Sequence, residues 1–158
     1  ATRTGTIGLL GTGATVRQPY VDRLEAEFAQ GKSLIRYAAD ALVPLAEAKM
    51  RGEMLAHGAV AKAVAGLRDH PQAQALDTLV LACTHFPLLA EELREVFGQD
   101  IQLVDGAQGI ARRIASLTQG QDFAREQEDF AVVTGSTNGL TSLVPMLERH
   151  GLMHATQF

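Results

Sequence analysis

A set of side chains capable of catalysis follows one short apolar run near the middle of the chain. The run Leu79-Val80-Leu81-Ala82 ends at Cys83, the only cysteine in the sequence, and Thr84 and His85 come directly after it. The thiolate is the reactive form of cysteine, and a helix N-terminus or a protonated imidazole nearby favours it. Because residues two apart share one face of an extended chain, Cys83 and His85 are expected to act together.

The elements around Cys83 place it where ligands bind. The apolar run is too short for a helix, so it predicts a strand that is buried on both faces. Pro87 suits the first turn of a following helix. Cys83 would therefore lie at the carboxyl end of a parallel strand, which is where open α/β sheets bind ligands. A lone cysteine is often only a small core residue, but the polar pair that follows favours a site.

The rest of the chain alternates between strand and helix patterns. Strands are expected at residues 6–10, 33–37, 101–104 and 130–134, besides the run before Cys83. Helices are expected after residue 19 and at residues 42–50, 53–67, 88–97, 107–117 and 140–147, with a linker at 118–128. This alternation predicts the α/β class, with a mostly parallel sheet flanked by helices.

The turn after the first strand contains glycines and hydroxyl groups. Gly11-Thr12-Gly13 resembles the start of a dinucleotide fingerprint, but Val16 stands where the third glycine belongs. A tight turn into a helix is the simpler interpretation, with Thr15 or Gln18 as the N-cap and a proline in the first turn.

Composition excludes several classes of protein. The 158 residues suit a single globular domain, with 46% apolar and 20% charged residues and a net charge of −4. No dense basic cluster predicts nucleic-acid binding, and no apolar stretch approaches the roughly 20 residues that span a bilayer. One cysteine cannot form an internal disulfide, so a cytoplasmic location is expected.

Three stretches resemble bacterial glutamate racemases. The run from Ala82 to Leu89, Ala-Cys-Thr-His-Phe-Pro-Leu-Leu, is similar to the second cysteine motif of that family. The stretch from Thr6 to Val16, with its Thr12-x-x-Thr15-Val16, resembles the strand and turn that open the family's second half, and Leu42-Val43-Pro44-Leu45-Ala46-Glu47 resembles its Val-Pro-Leu-x-Glu segment. The resemblance covers nearly the whole chain but only the later half of a racemase. The family's Asp-Ser turn and its Ala-Cys-Asn-Thr motif have no counterpart here.

The resemblance implies a division of the chain. Residues 1–105 would form the second α/β racemase domain, which carries the Cys-Thr-His motif. Residues 106–158 would be a C-terminal segment that packs with the absent N-terminal half and completes the first domain. The implied activity is cofactor-independent conversion of L-glutamate to D-glutamate for peptidoglycan, an isomerase reaction in which two thiols transfer protons. With one cysteine, the chain alone is predicted to be inactive.

The resemblance also implies roles for individual residues. Cys83 would be one catalytic base, with His85 assisting it and contacting the substrate. Thr84, Thr12 and Thr15 would hold substrate oxygens, and Glu47 would lie behind His85. No metal and no cofactor are expected. The expected partners are glutamate, the missing half with its second catalytic cysteine, and a second copy in a homodimer; nucleic acid and membrane are not expected.

Other functions stay open at this level. A racemase or decarboxylase of the same superfamily could act on aspartate, hydantoin or malonate derivatives. A Cys-His thiol hydrolase would need a third orienting group and an oxyanion site, which the sequence does not clearly provide. A non-catalytic module could bind an amino acid without turnover. Exchange of the substrate α-proton with heavy water separates the racemases from the last two.

Overall fold

The structure is a computed structural model that describes residues 2–124, 126–136 and 140–158. Strands and helices alternate along most of the chain, as the sequence predicts. The strands are β1 (Thr6–Gly11), β2 (Ser33–Ala38), β3 (Leu76–Leu81), β4 (Gln102–Val104), β5 (Phe130–Val133) and β6 (His154–Gln157). The α-helices are α1 (Gly13–Val16), α2 (Pro19–Phe28), α3 (Leu42–Met50), α4 (Ala59–Ala63), α5 (Ala65–Arg68), α6 (Ala90–Phe97), α7 (Ala107–Leu117) and α8 (Val144–Arg149). Short 3₁₀ helices lie at Ala73–Ala75 and Phe86–Leu89.

The first four strands form one parallel sheet in the order β2-β1-β3-β4. The predicted α/β class with a parallel sheet flanked by helices is therefore confirmed. β1 and β3 are the central strands, and Leu10 of β1 lies opposite Leu81 of β3. Because all four strands run the same way, the residues that follow each strand meet at one edge.

The core lies between this sheet and helices α3 to α6. It contains the side chains of Leu10, Ile35, Leu42, Val64, Leu67, Leu79, Leu81, Phe86, Leu89 and Leu93, all buried. Burial of a large aliphatic side chain stabilises a fold by about 1.5–3 kcal/mol. The apolar run before Cys83 supplies two of these side chains, so the strand that carries the cysteine is anchored in the core.

The expected helix over residues 53–67 is only partly present. Residues 53–58 are not helical, and the helical residues begin at Ala59 and are interrupted at Val64 between α4 and α5. Gly52 and Gly58 adopt left-handed backbone conformations, with φ of 77° and 73°. A right-handed helix cannot pass through such residues. The alanine-rich periodicity therefore predicts the buried face of the helix correctly, but it places the first helical residue too early.

The later part of the chain forms a second, two-stranded parallel sheet from β5 and β6. The sequence did not predict β6, and α8 begins at Val144 rather than at residue 140. None of the described residues after Ile101 is buried. Apolar side chains on α7 are exposed at helical spacing: Ile110 at 61%, Ile114 at 56% and Leu117 at 61%. These elements therefore have secondary structure without a core of their own.

Candidate active site

The carboxyl ends of β1 and β3 lie side by side. The N–H of Ala82 donates to the carbonyl of Leu10 at 2.8 Å, one residue before Cys83 and two before Thr12. Both segments that the sequence singled out for chemistry therefore leave the sheet at the same edge. This is the edge where parallel α/β sheets bind ligands.

Cys83 and His85 are in contact at this edge. The Sγ atom of Cys83 lies 3.7 Å from Nδ1 of His85, and the free thiol is half-buried. On the other side of the ring, Nε2 of His85 lies 3.7 Å from Oε1 of Glu47. Glu47 is in α3, so the imidazole lies between a thiol from the β3 end and a carboxylate from a neighbouring helix. This arrangement can move a proton to or from sulfur.

The chain beyond Cys83 is fixed by a buried aromatic ring. Phe86 is fully buried, and its N–H donates to the carbonyl of Cys83 at 3.1 Å. Pro87 lies in the first turn of a helix, as expected, but this turn is 3₁₀ and the α-helix begins only at Ala90. The tight turn holds Cys83 and His85 at a fixed separation, because Phe86 cannot leave the core without opening a cavity.

An open cavity of about 440 Å³ lies against the thiol. Its walls come from the β3 end and from the turn between β4 and α7, and they are formed by Leu81, Ala82, Cys83, Thr84, Pro87, Asp105, Gly106, Ala107 and Ile110. Thr84 is exposed and its hydroxyl is available to a ligand. The β4–α7 part of this wall was not predicted as part of the site. It follows from the strand order, since β4 neighbours β3 and ends at the same edge.

Thr12 and Thr15 form a separate pair at this edge. Their hydroxyl oxygens lie 3.1 Å apart, and Thr12 Oγ1 also accepts the N–H of Thr15 at 3.4 Å. Thr12 caps the short helix α1, which the sequence did not predict. Gln18, one of the two expected N-caps, stands at the N-cap position of α2 without a side-chain bond, and a proline lies in the first turn of α2 as expected. Neither threonine is among the residues that line the cavity beside Cys83.

The turn that carries these threonines has an anchor that sequence reasoning missed. Both carboxylate oxygens of Asp40 accept the N–H of Gly13, at 3.1 and 3.0 Å. Asp40 follows the end of β2, the strand next to β1. An acidic residue two positions after a strand end was the available signal, although its partner depends on which strands are adjacent.

Two further points concern metal binding and membranes. Within residues 2–124, 126–136 and 140–158, no group of three or more His, Cys, Asp or Glu side chains could hold a metal ion. No helix in the described part of the chain is both long and apolar enough to cross a membrane.

The fold and the site define a parallel α/β domain with a cysteine–histidine pair at the carboxyl edge of its sheet. No protein-family model matches the chain. Among curated proteins, it is 59% identical over 120 residues to a glutamate racemase of Sphingopyxis alaskensis, covering 76% of this chain and 45% of that protein. It is 40% identical over 152 residues to a glutamate racemase of Pectobacterium carotovorum, covering 95% of this chain and 53% of that protein.

A solved structure agrees with these relatives. The fold matches Escherichia coli glutamate racemase, crystallised with L-glutamate and the activator UDP-MurNAc-ala, with a TM-score of 0.90 and 34% identity. The match covers 99% of this chain and 59% of the other. The chain spans about half the length of the curated relatives it matches. Along the part of those proteins that it covers, the chain is similar to these glutamate racemases in sequence and in fold.

Proposed function

We propose that this chain is the later half of a cofactor-independent glutamate racemase, which supplies D-glutamate for peptidoglycan. The observation that carries the proposal is the position of its single cysteine. Cys83 lies two residues after the end of a buried central strand, faces an open cavity and contacts His85, in a chain that is 59% identical over 120 residues to a glutamate racemase.

The proposed reaction needs an acid/base group on each face of the substrate α-carbon. The Cys83 thiolate takes the α-proton from one face, and a second thiol gives a proton to the opposite face; the reverse reaction exchanges these roles. His85 exchanges protons with Sγ and contacts the substrate, while Glu47 orients the imidazole. The hydroxyls of Thr84, Thr12 and Thr15 hold the substrate oxygens, where donors stabilise the charge of the carbanion.

The second thiol must come from outside this chain, which has one cysteine. We place it in a preceding half of the same protein. Residues 1–105 would then be one racemase domain, and residues 106–158 would complete the other. Two observations support this division: the chain spans about half of its curated relatives, and no described residue after Ile101 is buried. The 158-residue chain alone should not racemise glutamate.

The test uses the full-length protein that contains this chain. In heavy water, L-glutamate and D-glutamate should each exchange the α-proton and interconvert, which circular dichroism and mass spectrometry can follow. Cys83→Ser should abolish interconversion in both directions. With a glutamate analogue that eliminates after proton loss, the variant should still process one enantiomer through the surviving cysteine.

Three outcomes would contradict the proposed mechanism. A wild-type protein that binds glutamate without exchanging its α-proton would be a binding module. One that instead hydrolyses esters through Cys83 would be a thiol hydrolase. Equal residual elimination from both enantiomers by the Cys83→Ser variant would remove Cys83 from its role on one face. A preference for aspartate over glutamate would leave the two-thiol mechanism intact but would make glutamate the wrong substrate.

A further inference from the structure

Asp40 joins two segments that are distant in sequence at the edge of the sheet. Its carboxylate comes from the connection between β2 and α3, and it receives the backbone N–H of Gly13 with both oxygens, at 3.1 and 3.0 Å. Gly13 begins α1, which has only four residues. An isolated helix of this length is not stable by itself, so its geometry depends on contacts such as this one.

The bond to Asp40 fixes the peptide plane next to Thr12. The N–H that Asp40 receives belongs to the peptide between Thr12 and Gly13, and the carbonyl of that same peptide accepts the N–H of Val16 at 3.0 Å. Rotation of this plane would therefore break both bonds. Thr12 adopts an extended conformation, with φ −73° and ψ 161°. Its Oγ1 accepts the N–H of Thr15 at 3.4 Å and lies 3.1 Å from Thr15 Oγ1, so a rotation of this plane would also disturb the turn in which the two hydroxyls lie.

The space around Gly13 is shaped for the carboxylate. Gly13 is buried, and a Cβ atom built on it would lie 3.2 Å from Oδ2 of Asp40 and 3.0 Å from a guanidinium nitrogen of Arg17. A larger residue at position 13 would displace these groups. The glycine thus allows Asp40 to reach the amide.

The hydrogen bonds within this turn determine which of its polar groups can bind a ligand. The N–H of Gly13 is occupied by Asp40, that of Thr15 by Thr12 Oγ1, and that of Val16 by the Thr12 carbonyl. The hydroxyl oxygens of Thr12 and Thr15 lie 3.1 Å apart, so one hydroxyl donates to the other and one hydroxyl hydrogen of the pair is left for a ligand. Any function of these hydroxyls in holding substrate oxygens therefore depends on the geometry of a turn that Asp40 helps to fix.

We propose that Asp40 is a positioning residue for substrate binding, which acts by holding the Thr12–Gly13 peptide so that the threonine hydroxyls face the substrate. This inference rests on the proposed function. It differs from an electrostatic role, in which a carboxylate at this edge would simply repel an anionic substrate. Asn keeps an oxygen acceptor for the Gly13 N–H and loses the charge, whereas Ala loses both, so the two roles predict different results.

The experiment compares Asp40→Ala and Asp40→Asn in the full-length enzyme, with Asp77→Ala as the matched control. Asp77 is also a carboxylate that receives backbone N–H groups, from Arg3 and Thr4, but at the opposite end of the sheet. Asp40→Ala should raise KM for both glutamate enantiomers roughly fivefold, the worth of one hydrogen bond, with kcat little changed. Asp40→Asn should restore KM to within about twofold of the wild type. Asp77→Ala should lower the thermal midpoint and leave KM unchanged.

The outcomes separate this inference from the function on which it rests. A wild-type enzyme without racemase activity would overturn the proposed function itself. An active wild type with unchanged KM in Asp40→Ala would overturn only the positioning role. A lower KM in both Asp40 variants would mean that Asp40 repels the anionic substrate, and the positioning role would then be wrong. In the 158-residue chain, amide exchange at Gly13 should quicken in Asp40→Ala, and equal exchange rates would count against the inference.

Discussion

The imidazole of His85 touches the thiol of Cys83, with Nδ1 3.7 Å from Sγ, although neither residue is in a regular strand or helix. The contact is local in sequence, but its geometry is set by distant packing. Phe86 fixes the turn from inside the core, and Glu47 of α3 approaches the far side of the ring. The reactivity of the Cys83 thiol should therefore depend on Phe86, which fixes the turn, and on Glu47, which lies beside the imidazole.

The first prediction concerns alkylation of Cys83 in the 158-residue chain. His85→Gln should slow its reaction with iodoacetamide at neutral pH roughly fivefold, because glutamine has no ring nitrogen beside Sγ to accept the thiol proton. Glu47→Gln should have a smaller effect in the same direction. Mass spectrometry can measure the rate at a single site, since the chain has one cysteine.

The control for this prediction is His57→Gln, which changes an exposed histidine outside the Cys83 site. Its labelling rate should equal that of the wild type. An unchanged rate in His85→Gln would mean that the contact with Sγ does not activate the thiol, and His85 would keep only a role in binding.

The second prediction concerns residues 107–158 in the isolated chain. Because no described residue of this segment is buried, its amides should exchange with heavy water much faster than those of β1 and β3. Addition of the preceding half should protect α7, whose Ile110, Ile114 and Leu117 are exposed. Hydrogen exchange read by mass spectrometry tests both statements, and uniform protection of the isolated chain would contradict the first.

The sequence predicts the fold well where one pattern determines one element. The helix over residues 107–117 is found with those bounds, and the apolar run before Cys83 is a central strand, because a short apolar run beside polar residues has few alternatives. The prediction from sequence fails where the backbone conformation of a glycine determines where a helix begins. The pattern over residues 53–67 has helical spacing, yet left-handed Gly52 and Gly58 keep residues 53–58 out of the helix.

The site is predictable only in part for a similar reason. Cys83 and His85 are neighbours in sequence, so their contact follows from the motif. The bond from Asp40 to Gly13 and the cavity wall formed by Asp105 and Ala107 depend on which strands are adjacent. Strand order is a property of the whole sheet, and local periodicity contains no information about it.

The third prediction concerns the pH dependence of stability through Asp77. Its carboxylate accepts the hydroxyl of Thr2 at 2.6 Å and the N–H groups of Arg3 and Thr4, and these bonds lower the pKa of Asp77 well below its ordinary value. A lowered pKa in the folded state stabilises the fold above the ordinary aspartate pKa of about 3.9. This contribution is lost as the pH falls from there towards the folded-state value.

The change that tests it is Asp77→Asn, compared with the wild type by urea denaturation at pH 7, 5 and 3. The variant should be less stable at pH 7 and pH 5, and the difference should narrow at pH 3, where the unfolded wild type takes up the proton. A difference that is the same at all three pH values would show that the charge of Asp77 has no part in it.

The fourth prediction concerns close packing at Gly8, in the middle of β1. A Cβ atom built there would lie 2.7 Å from Leu79 Cδ2 and 3.2 Å from both Leu67 Cδ2 and Leu76 Cδ1. Leu67 and Leu79 are fully buried, so they cannot move aside without disturbing the core. Gly8→Ala should therefore reduce the free energy of unfolding by about 1–3 kcal/mol, the usual effect of overpacking.

The matched control is Gly109→Ala in α7, where nothing lies within 4 Å of the added methyl group. Alanine is the better helix former by about 0.8–1 kcal/mol, so this change should leave the chain equally stable or slightly more stable. Urea denaturation of the two variants and the wild type measures both effects under one condition. If Gly8→Ala were as stable as Gly109→Ala, the leucine side chains around Gly8 would be able to move aside. The packing that holds β1 and β3 side by side beneath Thr12 and Cys83 would then be looser than these distances require.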